Sequence, residues 1–244
     1  MKQMTFSSDS EISITQDSKI SIPDNSNLTL ILKSNSNSSL TLEIGKNCNV
    51  STVILGLTEL SLNQDNFVGE NSTLHSYGIW KKSATYKITN HLVGKNSCAY
   101  DLHVFSESQS NSLKINSILR HANANTKGNI SVRGVADDNS RITLDGMIKI
   151  EKNGSGAESF LTQNVILLSP SSHATANPEL EIENNDVSSR HAASVSQIDQ
   201  DKIFYLMSRG ISQKDARKLI VDGFLEAVIE KISIEKVRKL FSFQ

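Results

Sequence analysis

Three near-identical turns constrain this chain more than any other feature. Gly45-Lys46-Asn47-Cys48, Gly69-Glu70-Asn71-Ser72 and Gly94-Lys95-Asn96-Ser97 recur with their asparagines 24 and then 25 positions apart. Weaker echoes stand at Asp24-Asn25-Ser26, Asn125-Thr126, Lys152-Asn153-Gly154-Ser155 and Asn184-Asn185-Asp186. A period in this range marks a repeat architecture, because one unit cannot bury its apolar face alone and must stack on a copy of itself. Glycine and asparagine hold such turns because they tolerate left-handed backbone angles.

What lies between the turns decides the kind of repeat. From residue 11 to about 190, apolar and polar residues alternate in short bursts, as in Leu28/Leu30/Leu32, Leu40/Leu42/Ile44, Ile142/Leu144 and Ile148/Ile150. Period two belongs to strands, and no segment here keeps a helical period for three turns. A repeat built of strands is a β-solenoid, with two or three short strands in each coil. A β-sandwich is the other architecture with many short strands and frequent turns. The polar run 34–39 (SNSNSS) is expected to be a loose turn between Leu32 and Leu40, and residues 1–10 a frayed, disordered tail.

The pattern changes after Ile198. Acids at Asp199 and Asp201 suit a helix start, residues 200–208 form a short helix, and Gly210 ends it. Ser212-Gln213-Lys214-Asp215 resembles a capping box. Ala216, Leu219, Ile220, Phe224, Ala227, Val228 and Ile232 then recur at helical spacing, and a last short helix carries Ile234, Val237, Leu240 and Phe241. The expected organisation is a β-helix core over 11–198 and a helical segment over 199–244. So little helix cannot form much of a core alone, so the segment caps the solenoid or docks a partner.

Composition excludes several functions. The 244 residues carry 25 basic and 26 acidic side chains and 5% aromatics, which offers nucleic acid neither a charged footprint nor stacking platforms. No apolar run reaches the roughly 18 residues that span a membrane, and residues 1–14 contain no signal-like apolar stretch. Cys48 and Cys98, the only cysteines, belong to no metal-binding spacing and read as small buried hydrophobes in a reduced, cytoplasmic protein. The six histidines show no HExxH or HxH spacing and read as turn or surface residues. There is no GxSxG elbow, and no P-loop, so this chain binds no nucleotide by that motif. Asp137, Asp138, Arg141 and Asp145 cluster in sequence, as the chemistry of a β-helical carbohydrate-active enzyme requires, but read as a solvated turn.

From Leu119 to Phe224 the chain resembles the core domain of the SufB/SufD family of iron–sulfur cluster assembly proteins. The resemblance is carried by His121-Ala122-Asn123-Ala124-Asn125-Thr126, Gly134-Val135-Ala136-Asp137-Asp138, Gln163-Asn164, Asn177-Pro178-Glu179-Leu180-Glu181-Ile182, Asp186-Val187, His191-Ala192-Ala193-Ser194-Val195, Phe204-Tyr205-Leu206 and Ser208-Arg209-Gly210-Ile211. Residues 11–118 match the family only in style. The Pro-Glu-Leu-Glu-Ile, Asp-Val, His order favours the SufD branch. The family's SufB cysteine has no counterpart, because no cysteine follows Cys98.

The resemblance implies a right-handed parallel β-helix with a C-terminal helical segment. It implies a non-enzymatic subunit that pairs through its β-helix with a SufB-like partner or with itself, and recruits a SufC-like ABC ATPase through residues after about 199. It also implies a transient iron–sulfur cluster at the dimer interface, with His191 as a ligand. Imidazole suits iron and replaces thiolate in some clusters. Phe204, Tyr205, Arg209, Gly210 and Phe224 are the expected ATPase contacts, since aromatics and arginine dominate interface energetics. Ala192 and Ser196 replace two glycines of the family motif around His191. The rival functions are an inert structural solenoid and a carbohydrate-active β-helix.

Overall fold

A computed structural model describes residues 1–34, 37–230, 232 and 235–240. Sixteen strands occur among them. In chain order they are β1 (Lys2–Thr5), β2 (Ser10–Ile14), β3 (Ser18–Ile22), β4 (Asn27–Ser34), β5 (Asn37–Ile44), β6 (Asn49–Gly56), β7 (Leu60–Val68) and β8 (Thr73–Trp80). There follow β9 (Ala84–Leu92), β10 (Cys98–Glu107), β11 (Ser112–His121), β12 (Lys127–Ala136), β13 (Arg141–Ile150), β14 (Ala157–Leu167), β15 (His173–Ile182) and β16 (Val187–Gln197). Odd strands pair only with odd and even only with even, all in parallel, so each coil supplies one strand to each of two eight-stranded sheets. This is the expected right-handed parallel β-helix.

The turns work as their residues predict. Asn25, Asn47, Asn71, Asn96 and Asn125 all have φ between 54° and 61°. Their side chains also bond from coil to coil. Asn47 donates to Asn25, Asn71 to Asn47, and Asn96 to Asn71 at 2.9 Å. The coil is not constant in length. Inter-coil hydrogen bonds join residues 22 apart at Lys46–Asp24, 25 apart at Asn96–Asn71, 29 apart at Gln109–Asp138 and 32 apart at Asn177–Asp145. The solenoid therefore widens toward its C-terminal end.

Alternate residues of both sheets fill the lumen, from Ile12 and Ile14 in the first coils to Leu161 and Val165 near the last. The tail and loop expected from the sequence take other forms. Lys2–Thr5 pair with Ser18–Ser21, and Met4 and Phe6 pack against the core, so the first residues extend the stack rather than fray. Most of the polar run 34–39 is strand: Ser34 ends β4 and residues 37–39 open β5, with Ser38 buried in the lumen row. Small hydroxyls fit an inward position when a neighbour shares their hydrogen bond, and Ser34 and Ser38 lie 3.5 Å apart. Asn35 and Ser36 lie outside the described residues.

Three helices follow: α1 (Gln200–Ser208), α2 (Gln213–Ile229) and α3 (Glu235–Leu240). Asp199 caps α1 by accepting from the amides of Asp201 and Lys202, and Ser212 caps α2 by accepting from that of Asp215. Gly210, at φ 87°, ends α1. The buried face of α2 contains Ala216, Leu225 and Val228, and Ile232 beyond it is also buried. Leu219 and Ala227, expected in that stripe, face solvent. Leu225, Val228 and Ile232 pack on Ile31, Val53, Tyr77, Ile79 and Val104, the outer face of the even-strand sheet. The helix is thus a strap along the solenoid wall, not a plug in its end. Ile234, Phe241 and the side chains of Val237 and Leu240 lie outside what is described.

Candidate functional site: the open end of the solenoid

β15 and β16 are the last coil, and no described residue covers them. The lumen row of β14 (Ala157, Ser159, Leu161, Gln163, Val165) is buried and stands in register with Val187, Ser189, His191, Ala193 and Val195 of β16. His191 therefore points to the lumen side, directly over Leu161, at a mouth open to solvent. Across the mouth, Ala174, Ala176 and Leu180 of β15 lie only partly buried against the core, and Ile182 and Val195 are exposed. The centre of the mouth is polar. Both amide atoms of Gln163, 1% exposed beneath Ala193, and the hydroxyl of Ser189 have no hydrogen-bond partner.

The two edge strands differ in what they offer. Backbone amides alternate sides along a strand. Ile198 donates its amide back to Leu167, so the even-numbered amides of β16 are used. Those of Val187, Ser189, His191, Ala193, Val195 and Gln197 face the open edge. On β15 the amides of His173 and the adjoining Glu183 point back to Ser140 and Ile150, so the outward row is the even one, and it contains Pro178, which has no N–H. Ala192 and Ser196 sit in regular strand with negative φ, so replacing the family's glycines there leaves β16 unbroken.

The other expected contacts occupy a second surface. Phe204 is 73% and Tyr205 57% exposed on α1, and Met207 and Leu219, neither of them an expected contact, are exposed as well. Tyr205, Leu206 and Ile220 line a shallow groove of about 390 Å³ with Asp201 and Lys202. Arg209 stacks on Tyr205 with its guanidinium 5.3 Å from the ring centroid, and with Gly210 it closes the helix. Phe224 does not join them. It packs with the strap on the even-strand sheet, the Arg133 guanidinium 4.8 Å from its ring and Arg133 Nη1 donating to its carbonyl at 3.0 Å. An aromatic at helical spacing reads alike whether it anchors a partner or its own helix.

Other titratable groups are absorbed by the fold. His103 and His121 are buried rather than in turns or on the surface, because both lie on lumen rows. His121 bonds Thr126 at 2.8 Å and Ser159 at 3.1 Å, and burial lowers its pKa to about 4. Trp80 donates to His103 Nδ1 at 3.3 Å, so the His103 proton sits on Nε2. That nitrogen lies 3.0 Å from Asp101 Oδ1, too bent for a full hydrogen bond, and Ser117 donates to the other Asp101 oxygen. Of the sequence cluster, Asp138 accepts from the Gln109 amide in a turn at φ 52°, and Asp145 pairs with Lys114 and Asn177. Cys48 is buried, but Cys98 faces outward and is half-exposed, at the start of β10. Among the described residues no three His, Cys, Asp or Glu side chains converge to hold a metal, and no helix is long and apolar enough to cross a membrane.

Comparison with known proteins gives the family. The family model described as "SUF system FeS cluster assembly, SufBD core domain" matches residues 5–224, so the match extends over the first half, where the sequence motifs alone show a likeness only in style. The chain is 38% identical over 119 residues to the iron–sulfur cluster assembly protein SufD of Bacillus subtilis, covering 49% of this chain and 27% of that protein. It is 29% identical over 127 residues to the SufB of the same organism, covering 51% and 27%. Against a SufBD family protein of Galdieria sulphuraria it is 34% identical over 115 residues, covering 47% and 52%. The matched segment thus spans about a quarter to a half of these relatives. The chain belongs to the SufBD core family of iron–sulfur cluster assembly proteins.

Proposed function

We propose that this SufBD-core protein is a SufD-like, non-catalytic subunit of an iron–sulfur assembly complex. Its open end meets a second β-helix, from a SufB-like partner or another copy, and its α1 surface recruits a SufC-like ABC ATPase. The observation that carries the proposal is the separation of two unsatisfied surfaces on one rigid stack. One is a mouth with a lumen-facing imidazole, and the other is an exposed aromatic pair on a capped helix. The nascent cluster is the cargo. His191 supplies one nitrogen ligand, and the rest come from across the interface, since among the described residues no three His, Cys, Asp or Glu side chains converge to form a complete ligand set. Both cysteines are free thiols, which suits a reducing cytoplasm.

The test is co-purification with the SufC-like ATPase of the same genome. The full chain should retain it, and both a chain ended at Gln197 and the double variant Phe204→Asp/Tyr205→Asp should not. The double variant matters because its side chains are exposed, so the fold survives. Retention by both variants would remove the helical segment from the docking role, and no retention by the full chain would leave the fold without the job.

A further inference from the structure

We propose that the outer face of the even-strand sheet holds an adenine mononucleotide, its base seated between Tyr100 and Phe160. One outward row crosses this sheet in register: His75 on β8, Tyr100 on β10, Asn129 on β12, Phe160 on β14 and Arg190 on β16. Its flat side chains stack from both ends. His75 lies on Tyr100 with ring centroids 5.2 Å apart, and the Arg190 guanidinium lies 4.7 Å from the Phe160 centroid. Each of the two rings thus has one face covered and the other turned toward Asn129. The short Asn129 leaves a slot two strand spacings wide, about 9.6 Å. A planar ring centred in it stands about 4.8 Å from each wall, close to the spacing that His75 and Tyr100 already keep. The Tyr100 wall is held in place, because His75 also stacks on Tyr77 at 6.3 Å and Tyr77 is buried beneath the strap.

The lining selects the occupant. The groove over the slot measures about 290 Å³ and includes Lys127 and Glu158, which pair with each other at 2.8 Å. With Arg190 the groove holds two cations against one carboxylate, which favours an anionic ligand. The Asn129 side chain is exposed on the floor of the slot. Its amide presents a donor beside an acceptor, the pair that reads the N6/N7 edge of adenine. An apolar side chain from a partner would fill the slot and leave these polar groups unanswered. An adenine nucleotide answers all of them. The base stacks between the rings, its edge meets Asn129, and the ribose passes the rim of Phe160 to bring the phosphate to Arg190. A nucleic-acid strand needs a tract of such slots, which the composition excludes, whereas a single nucleotide needs one.

The experiment is calorimetric titration of the full chain with AMP, adenosine and inosine monophosphate, repeated on Asn129→Phe and Arg190→Gln. AMP should saturate the wild type in the range of about 0.1–1 mM. Inosine monophosphate, with a carbonyl where AMP has its amine, should bind about 10-fold more weakly. Asn129→Phe fills the slot with a ring of its own, so melting stays equal or rises while AMP binding falls at least about 10-fold. Arg190→Gln should weaken AMP about 10-fold and adenosine less than about 2-fold, because only AMP carries the phosphate. No saturable AMP binding, equal affinity for AMP and inosine monophosphate, or unchanged AMP binding by Asn129→Phe overturns the proposal. Should Asn129→Phe fail to fold, Arg190→Gln decides, and an equal effect on AMP and adenosine overturns it. Binding of tyrosine amide without binding of AMP would assign the slot to a partner's aromatic side chain and likewise overturn it.

Discussion

Three histidines face the lumen, and their height in the stack is what separates them. His103 and His121 lie in closed coils, where the chain itself answers each ring: Trp80 and Asp101 in one case, Thr126 and Ser159 in the other. His191 occupies an equivalent lumen position over Leu161, but among the described residues no coil lies above it. The same residue type is thus structural where the stack continues and available where it stops. What sets His191 apart as the proposed ligand is its place in the stack, not its spacing to other histidines. The glycines tell the same story, because a side chain at Gly78 would overlap the His103 ring, so the closed site is built around its imidazole.

The largest effect that could break this comparison lies at the closed site. Asp101→Ala leaves His103 facing an unfilled, desolvated space and should cost about 3–5 kcal/mol in a denaturant melt. Replacing Asp101 and His103 together with leucine should recover most of that loss, because no buried polar group is then stranded. His191→Ala should move stability by less than about 0.5 kcal/mol, and under the proposed function it should lower the cluster content of the co-purified complex. Equal destabilisation at the two positions would mean that the mouth is closed by the chain itself.

Acid–base behaviour sharpens the contrast next. Burial holds His121 down, from 6.5 to about 4, and raises the lumen-facing Glu107 from 4.5 to about 7. For His121 the unfolded chain gains the proton first, so stability falls as pH drops from 6.5 toward 4. For Glu107 the folded chain keeps its proton longer, so stability falls as pH rises from 4.5 toward 7. Each contributes about 3 kcal/mol, and the two slopes oppose each other between pH 4.5 and 6.5. Wild type should therefore be nearly flat across that window. Glu107→Gln should expose a rising slope and His121→Gln a falling one, read from melts at stepped pH. Parallel profiles in all three proteins would place neither group in a sealed lumen.

Much of this architecture was legible in the residues. Period-two bursts separated by Gly-x-Asn turns predict a β-solenoid, and Asp199, Gly210 and Ser212 predict where the helices start and stop. The lumen polar groups were not legible, because Asp101, His103 and Glu107 keep the strand alternation and look like the exposed half of it. The growth of the coil hid the later repeats. A search tuned to 24 or 25 residues loses the coils of 29 and 32, where the left-handed turn position also passes from asparagine to Asp138 and Gly156. Phe224 and Leu219 exchanged their expected roles because an amphipathic stripe on a strap helix gives only the apolar faces, not which of them meets the wall. His191 was found through the family motif. Its exposure follows from the coil count, which no local pattern contains.

The smallest effect tests the ladder of turns, where the contrast between a flanked and an unflanked position recurs. Asn71 has φ 54° and is bonded on both sides, donating to Asn47 and accepting from Asn96. Asn125 has φ 56° and lies beyond the ladder, where the coil lengthens. Substitution by alanine imposes the same left-handed backbone penalty at both, about 1–2 kcal/mol. At Asn71 it also removes two side-chain bonds, exposed and therefore modest, so Asn71→Ala should exceed Asn125→Ala by about 0.5–1 kcal/mol. Glycine separates the terms, because it relieves the backbone and not the ladder. Asn125→Gly should lie near wild type while Asn71→Gly keeps the difference. Identical melting of the two glycine variants would assign the repeated asparagine to backbone conformation alone.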